Sequence, residues 1–344
     1  MQVRKMRPSN RPRRSVIVER LIIAGGILLS LLAITGYTIY TVNLHSSAIQ
    51  KIRTSIPGLL NPAPTKPIVT CTTPQHKLGD TTISLSSAGL TRTFVLHLAP
   101  SYGIQPQALV INYHGYNFTA PKMEQYSNMA VEADKAGFIL VFPQGVDDPP
   151  SWNAGIGAYG PTGDADDVQF TRDMLSYLEK SYCVDTHRIY VTGFSLGGGL
   201  AYRVACTLTK QIAALATVAG AFYHAPGGCQ PSRPIPVLEI HGQADRYAPY
   251  NGNPSAMMAA VSVYLNVWLN HDQCSGSPDT IFQQGDVTGL EWKHCANGTV
   301  VEHYRISDGG HVWPGGGNIA TLGFSTHVID ANVVIWNFLS QYTT

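Results

Sequence analysis

The sequence predicts an α/β domain, with a mostly parallel central sheet and helices on both faces, preceded by a single membrane-spanning helix. Three observations predict it. Short, almost wholly apolar runs of strand length alternate with helix-like segments, as expected for parallel strands buried on both faces. One such run, at 188–192, leads through a glycine-bounded turn into a helix-like segment at 200–205. The first 50 residues carry seven Lys/Arg against a single acid, Glu19, and include an uncharged stretch from Leu21 to Val42.

At the N-terminus, residues 1–20 form a basic tail with Arg4, Lys5, Arg7, Arg11, Arg13 and Arg14. The apolar run at 21–42 would extend about 33 Å as a helix, enough for a hydrocarbon core of about 30 Å. Basic residues ahead of the run keep that end in the cytoplasm and place the rest outside. A cleaved signal peptide is the competing reading. Its apolar region is shorter, and only Ser46-Ser47-Ala48 resembles a cleavage site. In that case the protein would be secreted. Residues 43–70 hold Pro57, Pro62, Pro64 and Pro67 and read as a semi-rigid linker. The catalytic domain would then occupy 71–344.

Composition agrees with an extracytoplasmic body. Hydrophobic residues make up 44% of the 344, and charged residues only 13%. Beyond residue 50 the chain holds 16 basic and 21 acidic residues, a balance that argues against nucleic-acid binding. All six cysteines lie beyond the apolar run, where an oxidising compartment would pair them. Cys274 and Cys295 flank a loop and strand and are expected to bond. Cys71, Cys183, Cys206 and Cys229 allow three pairings. No clustered Cys/His spacing supports zinc.

Along the domain, 81–85 and 92–98 read as an opening antiparallel pair, and 108–113 as a buried strand ending in His114-Gly115. A helix is expected over 122–136, stopped by Gly137. Strand 138–142 ends at Pro143, 151–166 is a glycine-rich loop, and 167–182 is a helix. Strands at 188–192, 212–219, 237–240 and 300–306 follow, with helices near 255–270 and 328–340.

The chemistry gathers at the ends of these strands. Gly193-Phe-Ser195-Leu-Gly197 fits a G-x-S-x-G elbow, in which a sharp strand-to-helix turn holds a serine hydroxyl above the sheet. A serine needs a histidine to take its proton and an acid to orient that histidine. Asp245 lies beyond the strand in Val237-Leu-Glu-Ile-His-Gly-Gln-Ala-Asp245, and His311 lies in the glycine-rich loop after 300–306. Glu239 falls inside a strand and reads as a satisfied partner there. His241 and Asp245, four apart across a strand end, do not make a helical metal site. Backbone amides of Leu196 and Tyr116 are the candidate oxyanion donors, with His114 structural. Trp152 and Trp313 are candidate substrate-binding residues lining a cleft. The carboxylates of Asp164-Ala-Asp-Asp167 are expected to cap a helix rather than bind calcium. Asn117-Phe-Thr119 and Asn297-Gly-Thr299 match glycosylation acceptors.

The run from Cys183 to Gly198, the run Ile240-His-Gly-Gln-Ala-Asp245-Arg-Tyr-Ala-Pro-Tyr250, and Gly309-Gly-His-Val-Trp-Pro-Gly315 resemble the secreted polyhydroxybutyrate depolymerase/feruloyl esterase group. That group belongs with the carbohydrate esterase family 1 proteins of the α/β-hydrolase superfamily. The resemblance covers about residues 71–340 and implies Ser195, Asp245 and His311 as the triad. It also implies hydrolysis of carboxylic esters without a metal or organic cofactor. Two departures are present. Relatives often carry a cysteine pair where this chain has Ile156-Gly-Ala-Tyr159, and the N-terminal anchor is absent from freely secreted members. The resulting expectation is an extracytoplasmic serine esterase acting on feruloyl or acetyl polysaccharide esters or on a polyester. Acyl transfer to cell-envelope acceptors, or a non-catalytic binding module, are the alternatives.

Overall fold

The computed structural model describes Cys71 and residues 76–157, 165–224 and 228–344. The expected tail, membrane span and linker lie outside the described residues. Among the described residues, no helix is long and apolar enough to cross a membrane.

Ten strands form one sheet: β1 (Gly79–Ser87), β2 (Leu90–Leu98), β3 (Gln107–Tyr113), β4 (Ile139–Pro143), β5 (Val184–Phe194), β6 (Ala214–Val218), β7 (Val237–Gly242), β8 (Asp279–Gln284), β9 (Val287–Trp292) and β10 (Val301–Ile306). Their order is β1-β2-β4-β3-β5-β6-β7-β10-β9-β8. The six middle strands, β4 through β10 in that order, run parallel. An antiparallel pair closes each edge. The hairpin β8–β9 is an addition to the sequence expectation. β8 is largely exposed and polar, so it lacks the apolar run that marks a parallel strand.

Among the described residues, six α-helices cover the faces: α1 (Ala120–Ser127), α2 (Met129–Ala136), α3 (Asp167–Ser181), α4 (Leu196–Thr207), α5 (Val261–His271) and α6 (Ala331–Leu339). Alternation along β3 shows why both faces need covering. Leu109, Ile111 and Tyr113 pack with α3, α4 and α5 through Met174, Leu200 and Trp268. Ala108 and Val110 point the other way, into a core with Met123, Met129 and Phe338 from α1, α2 and α6. Each buried Leu, Ile or Phe in these two cores stabilises the fold by about 1.5–3 kcal/mol before chain entropy is counted.

The single helix expected over 122–136 is two helices. Asn128 stands between them at φ +56, a left-handed conformation that asparagine tolerates better than most residues. The break matters for the site, because α1 ends with the Tyr126 carbonyl oxygen accepting from Gly317 and its hydroxyl accepting from Trp313 N–H. Both partners belong to the loop after β10. Thr119 caps α1 and Asp166 caps α3 with side-chain oxygens. Asp164 is outside the described residues, and Asp167 is buried against Arg92 instead of serving as a cap.

Three disulfides resolve the cysteine pairing: Cys71–Cys183, Cys206–Cys229 and Cys274–Cys295. The last is the pair expected from the sequence, and it brackets the β8–β9 hairpin instead of a loop and single strand.

At the opposite edge, His97 on β2 bridges Asp80 on β1 at 2.6 Å and Asp134 on α2 at 3.0 Å. Burial works against a charged ring, but the two carboxylates outweigh it and raise His97 above its ordinary 6.5. A raised histidine stabilises the fold fully below its unfolded value and loses that contribution as pH rises through the folded value. Thermal stability is therefore expected to decline as pH climbs above about 6.5. His97→Gln should remove that part of the decline when melting is followed across pH. An unchanged slope in the variant would show that the bridge carries no pH-dependent stability.

Candidate active site

The middle of the parallel sheet converges on one end. Tyr113 at the end of β3 pairs with Gly193, and Phe194 at the end of β5 pairs with Val218 of β6. Ile306 of β10 pairs with Gly242 of β7. The loops that follow these strands therefore emerge together, at the carboxyl ends where ligands of parallel sheets bind.

Ser195 sits between β5 and α4 with φ +56 and ψ −121. Such a backbone costs roughly 1–3 kcal/mol and must be held by its surroundings. Ser195 N–H donates to Val218 at 3.0 Å, and its carbonyl oxygen accepts from Ala221 at 2.9 Å and Gly199 at 3.2 Å. The flanking glycines are needed for close approach. A Cβ on Gly193 would collide with the backbone of Gly197, and one on Gly197 with the backbone of Tyr113 and His114. The turn thus fits only with glycine at both positions, and it places the hydroxyl over the first turn of α4.

His311 Nε2 lies 2.8 Å from Ser195 Oγ, and its Nδ1 lies 2.7 Å from Asp245 Oδ2. An ionised carboxylate only accepts, so Nδ1 carries the proton and Nε2 is left to accept from the serine hydroxyl. Asp245 Oδ1 accepts from the amides of Tyr247 and Ala248, each at 2.8 Å. Burial alone would raise the Asp245 carboxyl, but the His241 and His311 rings beside it hold it well below the usual carboxylate range. The His311 ring packs between Phe194 and Tyr247, with centroids 4.8 and 5.3 Å away. Its loop is fixed by His311 N–H donating to Leu322 at 2.7 Å.

A cavity of about 310 Å³ opens over Ser195. Leu196 and Tyr116, the expected oxyanion donors, both line it, as does Gly115. Tyr223, Tyr247, Met258 and Leu322 complete its apolar wall. These four come from loops far apart in the chain, and no local pattern marks them in the sequence.

Trp152 and Trp313 are not at this cleft. Both are buried, at 0% and 1% exposure, and neither lines the cavity. A buried indole N–H needs an acceptor, and both find one inside. Trp152 Nε1 donates to the His114 carbonyl oxygen at 2.7 Å, and Trp313 Nε1 to Asn332 Oδ1 at 3.0 Å. They brace the loops that carry the site. His114 is structural as well. Its Nδ1 donates to the Gly115 carbonyl oxygen and its Nε2 accepts from Gly145 N–H, while burial lowers it to about 4 and keeps it neutral.

Comparison with known proteins adds the following. A family model described as phospholipase/carboxylesterase matches residues 101–277, a span that includes Ser195 and Asp245. Feruloyl esterase B of Piromyces equi is 34% identical over 225 residues, 61% of this chain and 40% of its own length. NocK of Nocardia uniformis subsp. tsuyamanensis, named provisionally as an esterase, is 30% identical over 251 residues, covering 67% of this chain and 72% of its own. An acetyl xylan esterase structure from Aspergillus awamori matches with a TM-score of 0.56 at 12% identity, over 76% of this chain and 99% of its own. That likeness speaks to the fold alone, which is the α/β-hydrolase fold. The chain spans well under half the length of the Piromyces relative.

Proposed function

We propose that this chain, which belongs to the phospholipase/carboxylesterase family, hydrolyses carboxylic esters through an acyl-enzyme on Ser195. The observation that carries this reading is the continuous hydrogen-bonded line Ser195–His311–Asp245 at 2.8 and 2.7 Å beneath an apolar cavity. In this reading Ser195 Oγ attacks the ester carbonyl carbon as His311 Nε2 takes its proton. The resulting oxyanion faces the amides of Leu196 and Tyr116, and Asp245 holds the imidazolium in place. His311 then protonates the departing alcohol, and water repeats the sequence to release the acid. The steps call on no metal or organic cofactor.

The acyl part we favour is aromatic. Tyr116, Phe194, Tyr223 and Tyr247 surround the cavity, whose volume falls within the range of small-molecule sites. A feruloyl ester on a polysaccharide fits such walls better than an acetyl group, and the Piromyces relative is named for that activity. A short hydroxybutyrate polyester is the remaining ester class. Three disulfides support an extracytoplasmic location. The uncharged run at 21–42 supports a membrane anchor with a cytoplasmic N-terminus.

The test is a panel of methyl ferulate, acetylated xylan and short hydroxybutyrate oligomers offered to the full chain. Methyl ferulate is expected to lead in kcat/KM by about tenfold, the equivalent of one added aromatic contact. A lead by either other substrate would reassign the acyl group. Diversion of product from free acid to added sugar acceptors would favour acyl transfer. Failure on all three, with Ser195 also refusing a fluorophosphonate probe, would leave a non-catalytic binding module.

A further inference from the structure

Behind the acid of the triad lies a fully buried histidine that the steps above do not use. His241 precedes Gly242 at the end of β7 and is 1% exposed. Both of its ring nitrogens face acceptors. Nε2 lies 2.8 Å from the Ala248 carbonyl oxygen and 3.5 Å from Asp245 Oδ2. A carbonyl oxygen only accepts, so Nε2 carries a proton. Nδ1 lies 2.7 Å from Glu239 Oε1.

Glu239 is itself arranged as an acceptor, although burial raises its carboxyl to about 7 against the pull of His241. Its Oε2 takes the Thr217 hydroxyl, and the carboxyl also receives the Gly220 amide. That leaves Nδ1–H as the donor to Oε1, and a ring protonated at both nitrogens is a cation. Burial opposes that charge, but the Asp245 and Glu239 carboxylates beside the ring overcome it and raise His241 above the ordinary histidine range.

We propose that His241 is a positioning residue: a buried imidazolium, anchored by Glu239 and the Ala248 carbonyl oxygen, whose charge 3.5 Å from Asp245 Oδ2 holds that carboxylate ionised against His311. The inference rests on the esterase reading of the triad and adds a fourth and fifth member behind it. Asp245 is then held from every side. Its Oδ1 takes two backbone amides, and its Oδ2 faces His311 at 2.7 Å and His241 at 3.5 Å. Without a cation behind it, Asp245 would take up a proton at higher pH, and the triad would lose its ionised acid there.

The other titratable groups packed around His241 do not supply this charge. From β10, His303 bonds the Glu239 carbonyl oxygen and the Tyr250 hydroxyl, and burial lowers it to about 3, so it is neutral. Arg305 is the β10 register partner of His241, but it is exposed. Tyr250, from the loop after β7, presents its ring edgewise 5.8 Å away, and Tyr264 from α5 reaches only as far as Thr217. Burial raises both phenols, which keeps them neutral.

The experiment compares the full chain with His241→Gln, Glu239→Gln and the double variant His241→Gln/Glu239→Gln. It follows kcat/KM for p-nitrophenyl acetate and the rate of Ser195 labelling by a fluorophosphonate across pH. The acid side of both profiles is expected to move up by about one pH unit in His241→Gln and in the double variant. Glu239→Gln should move it less, since Asp245 still faces the ring. The double variant replaces an ion pair by two amides that can bond each other. It keeps the packing and separates charge from shape. A folded double variant with an unshifted acid side would overturn the proposal. If neither histidine variant folds, the presence or absence of the shift in Glu239→Gln decides it. A wild-type chain that neither cleaves the ester nor takes the label would instead overturn the esterase reading itself.

Discussion

Replacing Ser195 by alanine is expected to lower kcat on p-nitrophenyl esters by about a millionfold while leaving thermal unfolding nearly unchanged. The two outcomes separate because the substitution removes one atom. The strained turn is held by backbone bonds to Val218, Ala221 and Gly199, and none of them involves Oγ. In the proposed reaction, what disappears is the nucleophile and the proton it gives to His311. The cavity and the amides of Leu196 and Tyr116 would remain, so substrate binding should survive and KM should move little. Asp245→Asn should cost less, about ten-thousandfold, because an amide facing Nδ1 favours the wrong tautomer of His311 without removing it. Steady-state kinetics together with a melting curve checks both. A folded Ser195→Ala protein that retains most of its activity would remove the serine from the mechanism.

The second large effect is on stability. Asp167→Ala is expected to destabilise the domain by about 3–5 kcal/mol, because it leaves Arg92 charged and buried without its partner. Arg92 donates to Asp167 Oδ1 at 2.7 Å and lies 4.0 Å over the Phe170 ring. The other carboxylate oxygen accepts from Asn153 N–H at 2.6 Å, which fixes the residue next to Trp152. Burial drives the Asp167 carboxyl above its ordinary range even with Arg92 beside it. Desolvation therefore outweighs attraction, and the pair stabilises less than its geometry suggests. Adding Arg92→Met to Asp167→Ala should accordingly recover part of the loss, since no unpaired charge remains. Chemical denaturation of the single and double variants gives the comparison. If the second substitution recovers nothing, the loss belongs to the Asn153 contact instead of the stranded guanidinium.

Chain position makes the Ser195–His311–Asp245 line legible in the sequence. Ser195, Asp245 and His311 each lie just past the end of an apolar run, and parallel strands deliver such residues to one edge. The pattern was silent on side-chain direction. Trp152 and Trp313 stand near the site in sequence, yet each indole turns into a core where its N–H finds an acceptor. The break at Asn128 was hidden because a left-handed asparagine interrupts a helix without disturbing its apolar spacing. The β8–β9 hairpin was missed because an exposed edge strand needs no apolar run. Glu239 could be read as a satisfied buried acid, but its partnership with His241 depends on both rotamers inside one strand end.

The bond between Cys71 and Cys183 also sets how the domain would bear a mechanical load. Tension arriving along the chain ahead of Cys71 passes through the disulfide to Cys183 and enters β5, which lies between β3 and β6 in the sheet. The intervening loop, closed over a sequence separation of 112 and holding β1 to β4 and α1 to α3, is bypassed. In shear, the hydrogen bonds along β5 would share the force, and Ser195 lies beyond the far end of that strand. A pull on the oxidised chain therefore reaches the scaffold before Ser195, while reduction would reroute it through the edge strands.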